Sequence, residues 1–207
     1  MLNYQRKLEE QLEGIGSQNR KSVLLHACCA PCSSYVIEYL SEFLDITLLY
    51  FNPNISPEEE YRKRLNEVDR LIVQMPVKSK VKLLEGRYET KEFFEIARGL
   101  EELPEGGERC FKCYRLRLEE AARIGAEKGF DFFGTTLSIS PHKNAEKLNL
   151  IGEELVEKYG IRYLYGDFKK KNGYKRSIEL SGIYGLYRQN YCGCVFSRNE
   201  AERMGRA

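Results

Sequence analysis

Along the chain, solid apolar runs of four to six residues alternate with stripes of apolar positions three or four apart, and this predicts strands and helices in turn. Leu8 and Leu12 lie i, i+4 in an otherwise charged stretch, the mark of a helix with one buried stripe, and the turn-rich Gly14-Ile15-Gly16-Ser17 closes it. Val23-Leu24-Leu25-His26 reads as a short buried strand, with Ser33 and Ser34 placed to cap a helix through about Phe43. The β-branched and aromatic run from Ile46 to Phe51 predicts a second strand, broken at Asn52-Pro53-Asn54. Ser56-Pro57-Glu58-Glu59 then combines an N-cap, a proline at the first helical position and a glutamate placed to close a capping box, which starts a helix running to about Val73.

Val81 to Leu84 predicts a third strand, Lys91 to Arg98 a short helix, and Leu103 to Gly107 a loop. A helix follows from Cys110 to Glu127, stopped by Gly129. Phe130 to Gly134 is the next strand, with Ser138, Ser140, Pro141 and His142 on the loop at its exit. Ala145 to Tyr159 is helical, and Tyr163-Leu164-Tyr165 forms a last short strand. Strands that alternate with helices make a three-layer α/β domain with a mostly parallel sheet, and residues 1–207 read as one such domain. In sheets of this kind ligands gather beyond the carboxyl ends of the strands. That places the segment after His26 and the loop of His142 at one candidate site.

Composition adds little until the cysteines are considered. Of 207 residues, 31% are charged and 42% hydrophobic, a globular composition. No run approaches the roughly 18 apolar residues of a membrane-crossing helix, and MLNYQRKLEEQLEG lacks the apolar core of a signal peptide, so a cytoplasmic protein with no membrane partner is expected. With 33 Lys and Arg against 31 Asp and Glu, affinity for an anionic partner must come from local clustering. All seven cysteines fall in three short groups: Cys28-Cys29-x-x-Cys32, Cys110-x-x-Cys113 and Cys192-x-Cys194. A disulfide scaffold does not suit an odd number of cysteines in a chain of this size. Metal ligation or thiol redox chemistry remains.

Two C-x-x-C pairs can close a zinc tetrahedron, but ribbon pairs sit in hairpin knuckles, whereas Cys110-Phe111-Lys112-Cys113 opens a long helix. Zinc would also leave three cysteines unexplained. An iron–sulfur centre fits better, because Cys28, Cys29, Cys110 and Cys113 supply four thiolates from two converging elements, enough for a [4Fe–4S] cluster. Cys32 and Cys110 stand at expected helix starts, where the positive end of the helix should lower a thiol pKa. Cys32, Cys192 and Cys194 are then left to hold a second metal with an open position, or Cys192 and Cys194 cycle between dithiol and disulfide. Cys32 can equally replace Cys28 or Cys29 as a cluster ligand.

The turn Ala27-Cys28-Cys29-Ala30-Pro31-Cys32-Ser33 occupies the place of the Ser-Gly-Gly-x-Asp-Ser loop of PP-loop ATP pyrophosphatases, of the adenine nucleotide alpha hydrolase-like architecture. It has no glycine, and Pro31 removes one N–H donor, so the same architecture is expected with its ATP site replaced by metal. His26, at the end of a buried strand, reads as a satisfied core residue, while His142 on its loop is the better functional candidate. Lys169, Lys170, Lys171, Lys175 and Arg176 form a dense cationic stretch interleaved with Phe168 and Tyr174, and it leads through Tyr184, Tyr187, Arg188 and Tyr191 into the third cysteine group. Cations for phosphates beside aromatic rings for stacking suit unpaired RNA.

The motifs His26-Ala27-Cys28-Cys29-Ala30-Pro31-Cys32-Ser33, Cys110-Phe111-Lys112-Cys113-Tyr114-Arg115-Leu116-Arg117 and Gly185-Leu186-Tyr187-Arg188-Gln189-Asn190-Tyr191-Cys192-Gly193-Cys194, with Gly134 to Asn144 between them, closely resemble epoxyqueuosine reductases of the QueH type. The likeness covers nearly the whole chain. It implies cobalamin-independent reduction of an epoxide to an alkene on the modified anticodon base of tRNA, recharged by an external low-potential electron donor. It further implies iron–sulfur ligation at Cys28, Cys29, Cys110 and Cys113, and a redox role, with disulfide formation, for Cys192 and Cys194. A mononuclear iron beside the cluster is an additional expectation. A PP-loop tRNA sulfurtransferase and a zinc-stabilised RNA-binding module are the competing readings.

Overall fold

The computed structural model describes residues 2–15, 20–79 and 81–205. Gly16 and Ser17 of the expected first turn lie outside the described residues. Five strands, β1 (Lys21–His26), β2 (Leu44–Tyr50), β3 (Lys82–Glu85), β4 (Phe132–Thr135) and β5 (Arg162–Tyr163), form one sheet in the order β3-β2-β1-β4-β5, every pair parallel. Alternate side chains of β1 enter opposite layers. Val23 and Leu25 join one core with α1 (Tyr4–Glu13), α2 (Ala30–Leu40) and α3 (Glu58–Gln74), whereas Leu24 joins the other with α5 (Glu108–Glu127) and α6 (Ala145–Tyr159). The expected three-layer α/β architecture with a parallel sheet is the observed one, and the short α4 (Thr90–Ala97) packs on α5. No helix is long and apolar enough to cross a membrane among the described residues.

Element boundaries differ from expectation where local chemistry overrides pattern. Ser33 and Ser34 do not cap α2 but lie inside it, their hydroxyls donating back to the Cys29 and Pro31 carbonyls, while Cys29 is the N-cap and Pro31 sits in the first turn. The N-cap of α3 is Pro57 rather than Ser56, with no side-chain cap. Two helices carry no periodic signal: α7 (Gly173–Ile183), which begins inside the cationic stretch, and α8 (Val195–Arg203). α7 buries Gly173, Ser177, Leu180 and Ser181 and leaves Ile178 and Ile183 exposed, so its buried face is small and polar. Gly173 is required by proximity, because a Cβ there would lie 2.0 Å from the Phe168 carbonyl and 2.4 Å from the Tyr35 ring.

The sheet ends at β5, and α1 covers that end. The Gln11 side chain donates to the Tyr163 carbonyl at 2.9 Å and accepts from the Tyr165 N–H at 3.0 Å. Tyr4 stacks on Tyr165 beside it, and Lys7 lies over the Tyr165 ring. The chain runs from β1 to β2 and β3 on one side, and β4 and β5 are then laid down on the other. The reversal between β1 and β4 makes a topological switch point, the place where open α/β sheets bind ligands.

Candidate active site

The segments leaving β1 and β4 meet at this switch point. His26 ties them together from within the core: Nδ1 lies 3.2 Å from Thr135 Oγ1, and Nε2 lies 3.1 Å from the Phe51 carbonyl and 3.2 Å from Asn52 Oδ1. Burial first, and the charge of Arg117 second, push its pKa down to about 3, so it is a neutral structural residue, as read from the strand. Asn52 Nδ2 donates to the Ala27 carbonyl at 2.8 Å and fixes the turn that follows. Cys28, Cys29 and Cys32 emerge from that turn with their sulfurs all within 4.8 Å of one another. Cys28 Sγ lies 3.7 Å from Cys29 Sγ. Bonds from Cys28 and Cys32 hold the Cys29 thiol well below its ordinary pKa, and the protons so retained raise Cys28 and Cys32. The depression expected at Cys32 therefore falls on Cys29, the residue that starts α2.

The first turns of α5 bring Cys110 and Cys113. Gly106 N–H donates to Cys110 Sγ at 3.3 Å, yet burial still raises the Cys110 thiol, against the expectation from its helix start. Burial pushes Cys113 up to about 12. Cys192 and Cys194 come from a turn pinned on three sides: Arg64 Nη1 donates to the Cys192 carbonyl at 3.0 Å, Ser56 N–H to the Gly193 carbonyl at 3.0 Å, and Cys192 N–H to Ser197 Oγ at 3.0 Å. Cys194 is the N-cap of α8, accepting from the Ser197 N–H, and burial beside Cys192 raises it to about 11. Cys110, Cys113, Cys192 and Cys194 line one small hollow with Arg109, Tyr114 and Arg117. Cys28, Cys29, Cys32 and Cys192 line the adjoining cavity of about 200 Å³, together with Glu105, His142, Lys143, Arg188 and Tyr191. Cys192 belongs to both walls and is the cysteine that the two hollows share, and all seven cysteines are free thiols.

Several residues at this region escaped the sequence reading. Lys143 is 8% exposed, and its Nζ donates to Glu105 Oε1 at 2.7 Å and to Cys192 Sγ at 3.2 Å. Burial opposes the Lys143 charge, but Cys192 and Glu105 more than offset it and hold the ammonium well above its ordinary pKa. Arg64, Arg109 and Arg117 are each buried beside the cysteine groups. A signal for two of them was present: Arg64 lies on the stripe of Tyr61, Leu65 and Val68, and Arg117 on that of Cys113, Tyr114, Leu118 and Ala121, where a cation has no business unless something anionic faces it. Lys143 had no such signal, being on a loop.

The cationic stretch is more neutral than its sequence suggests. Lys169 pairs with Asp167 at 2.5 Å, Lys171 with Glu9, and Arg176 with Glu38 at 2.7 Å and Glu179 at 3.1 Å. Lys170 and Lys175 are exposed and carry no ion pair among the described residues. Lys169, Lys170 and Lys171 line a second cavity of about 690 Å³ against α1, and Lys143 lines it too. Tyr174 instead reaches the cysteine cavity, as do His142 and Tyr191.

The residues present suit a thiolate-bound metal group. Arg117 Nη2, Arg64 Nη2 and the Tyr114 hydroxyl are buried beside the cysteines without partners. A buried donor left unsatisfied costs about 1–3 kcal/mol, more when charged, and an anionic group held by these sulfurs would answer all three. Fold and site thus define a class: α/β proteins with a cysteine-built, metal-competent centre at the switch point of a parallel sheet.

Comparison with known proteins narrows the class. The profile of the family described as epoxyqueuosine reductase QueH matches residues 23–200. Epoxyqueuosine reductase QueH of Streptococcus pyogenes serotype M1 is 43% identical over 199 residues, covering 95% of this chain and 78% of that protein. The Staphylococcus epidermidis protein of the same name is 43% identical over 196 residues (93% and 82%), and that of Thermotoga maritima 36% over 179 residues (85% and 90%). The chain belongs to the QueH family of epoxyqueuosine reductases, and it is an oxidoreductase.

Proposed function

We propose that this protein reduces the epoxide of epoxyqueuosine in tRNA to the alkene of queuosine, with a [4Fe–4S] cluster held by Cys28, Cys29, Cys110 and Cys113. The observation that carries the reading is that three remote cysteine groups line two neighbouring hollows that share Cys192, with Arg64, Arg109 and Arg117 buried in the same part of the fold. Loss of the epoxide oxygen as water consumes two electrons and two protons, supplied in the end by an external low-potential donor and by solvent. A cluster bound there supplies low-potential electron transfer, one electron at a time. Cys32 lies close enough to Cys28 and Cys29 to join their ligation, and it shares a cavity wall with Cys192, its partner with Cys194 in the reading that adds a second iron. In the alternative assignment Cys192 and Cys194 act as a dithiol, and oxidation to their disulfide provides the electron pair.

The chain's own residues shape the rest. Lys143 holds a positive charge against Cys192 at the cavity wall, where negative charge develops on the oxygen as the C–O bond breaks. His142 and Tyr191 border the same cavity and are the candidate proton donors. Arg188 and Tyr174 at the mouth offer a cation for phosphate and a ring for stacking, and Lys169, Lys170, Lys171, Lys175 and Arg176 lie on the flank that would meet the anticodon stem.

Anaerobic preparation is expected to give a brown protein with about four iron and four sulfide per chain. Cys110→Ser or Cys113→Ser should abolish both the colour and the conversion of epoxyqueuosine in tRNA. A colourless, zinc-loaded and fully active wild type would refute the reading. Replacing Cys192 and Cys194 together with Ser should leave most of the cluster absorbance while ending turnover; loss of the absorbance would make them ligands instead.

A further inference from the structure

Arg117 is 1% exposed and sits in the interior of α5. Its Nε donates to the Cys113 carbonyl at 3.1 Å, and Nη2 is buried with no partner. No carboxylate pairs with it among the described residues. The neighbouring buried arginines are differently provided: Arg64 pairs with Glu60 at 2.7 Å, and Arg109 Nη1 donates to the carbonyls of Leu100, Glu101 and Leu103. A guanidinium does not shed its proton inside a protein, so α5 carries a fixed positive charge into a dry interior. Such a charge destabilises the fold unless something answers it. The groups placed to do so are sulfurs, for Arg117 lines one small hollow with Cys110, Cys113, Cys192 and Cys194.

We propose that Arg117 is a positioning residue that provides the built-in counter-charge of the thiolate centre, raising its reduction potential and slowing the loss of its metal. The inference rests on the reading that these cysteines hold an iron–sulfur centre. Each electron taken up adds one negative charge to that centre, so a fixed cation beside it favours the reduced form over the oxidised one; net charge and hydrogen bonding around the sulfurs are what set such potentials. A strut that served only the packing of α5 would have no such dependence on the oxidation state. It would also stabilise the chain equally with and without metal.

The test compares full-length wild type with Arg117→Met and Arg117→Lys, each prepared metal-free and loaded anaerobically with iron and sulfide. In Arg117→Met the midpoint potential should move to a more negative value, and metal affinity in a chelator competition should fall by about 10–100-fold. Arg117→Lys, which keeps the charge, should recover most of both. Metal-free Arg117→Met should melt at or above the wild-type temperature, because it lacks the unanswered charge, while the loaded variant melts below loaded wild type. An unmoved potential and unchanged iron retention in Arg117→Met would overturn the proposal, as would a metal-free variant that melts lower or fails to fold. A wild-type chain that takes up no iron or sulfide under these conditions defeats the iron–sulfur reading itself, and this inference with it.

Discussion

Gly193 stands between the two cysteines of the third group with φ +118, a backbone region that side chains rarely adopt. A Cβ there would also lie 3.0 Å from Arg64 Nη1 and 3.0 Å from Ile55 Cγ1. Both objections act on the same turn, whose carbonyl and amide contacts fix Cys192 and Cys194. Gly193→Ala should therefore cost about 1–3 kcal/mol, the usual range for a strained backbone residue, readable as a lower thermal midpoint. Epoxide reduction should fall further than stability does, since the sulfurs depend on a displacement of well under an ångström. An active variant of wild-type stability would show that this turn tolerates a side chain and that the placement of its sulfurs is not critical.

At the scale of elements, α7 changes how the cationic stretch is understood. Lys169, Lys171 and Arg176 are already answered by Asp167, Glu9, Glu38 and Glu179, so their charge is largely committed within the protein. Lys170 and Lys175 are the members with charge to give. Each phosphate contact to single-stranded nucleic acid contributes about 0.7 to the slope of log K against log salt. Lys170→Ala and Lys175→Ala together should flatten that slope for tRNA by about 1.4, twice this increment. Lys169→Ala with Lys171→Ala should change it less, a contrast that filter binding at several salt concentrations will resolve. Equal effects of the two pairs would mean that tRNA displaces the internal carboxylates. The sequence could not have shown this, because ion pairing with Glu9 and Glu38 is a matter of tertiary placement. It also could not show α7 itself, whose buried face of Gly173, Ser177, Leu180 and Ser181 has one apolar side chain and so no apolar period. The strands and the helix from Ala145 to Tyr159 were legible because their burial is apolar, as with Leu24, Leu48 and Leu148. The cysteine groups were legible by spacing, whereas Lys143, one residue beyond His142 on a loop, left no periodic trace. Local chemistry likewise misled at α2, where serines that read as caps bond back into the helix.

The whole molecule is organised by its strand order. Because the chain reverses direction of travel across the sheet after β3, segments separated by more than half its length are brought to the carboxyl ends of β1 and β4, and residues near 28, 110 and 192 come to line two hollows that share Cys192. The same order leaves two sheet margins. At one of them β5 has only two residues, and the Gln11 amide stands where the next strand would be, offering one donor and one acceptor in place of a neighbouring backbone. A side chain that impersonates a strand closes the row of pairing groups that another molecule could otherwise extend, and growth of the sheet from copy to copy stops there. Gln11→Ala should thus raise scattered light and sedimenting species as protein concentration increases, with unaltered epoxide reduction by the fraction that stays in solution. Self-association identical to wild type across that range would show that α1 guards the margin by bulk alone, through Tyr4, Leu8 and Leu12. If Gln11→Ala does associate, colloidal behaviour in this enzyme is governed at a sheet margin, by a side-chain amide outside the cysteine groups.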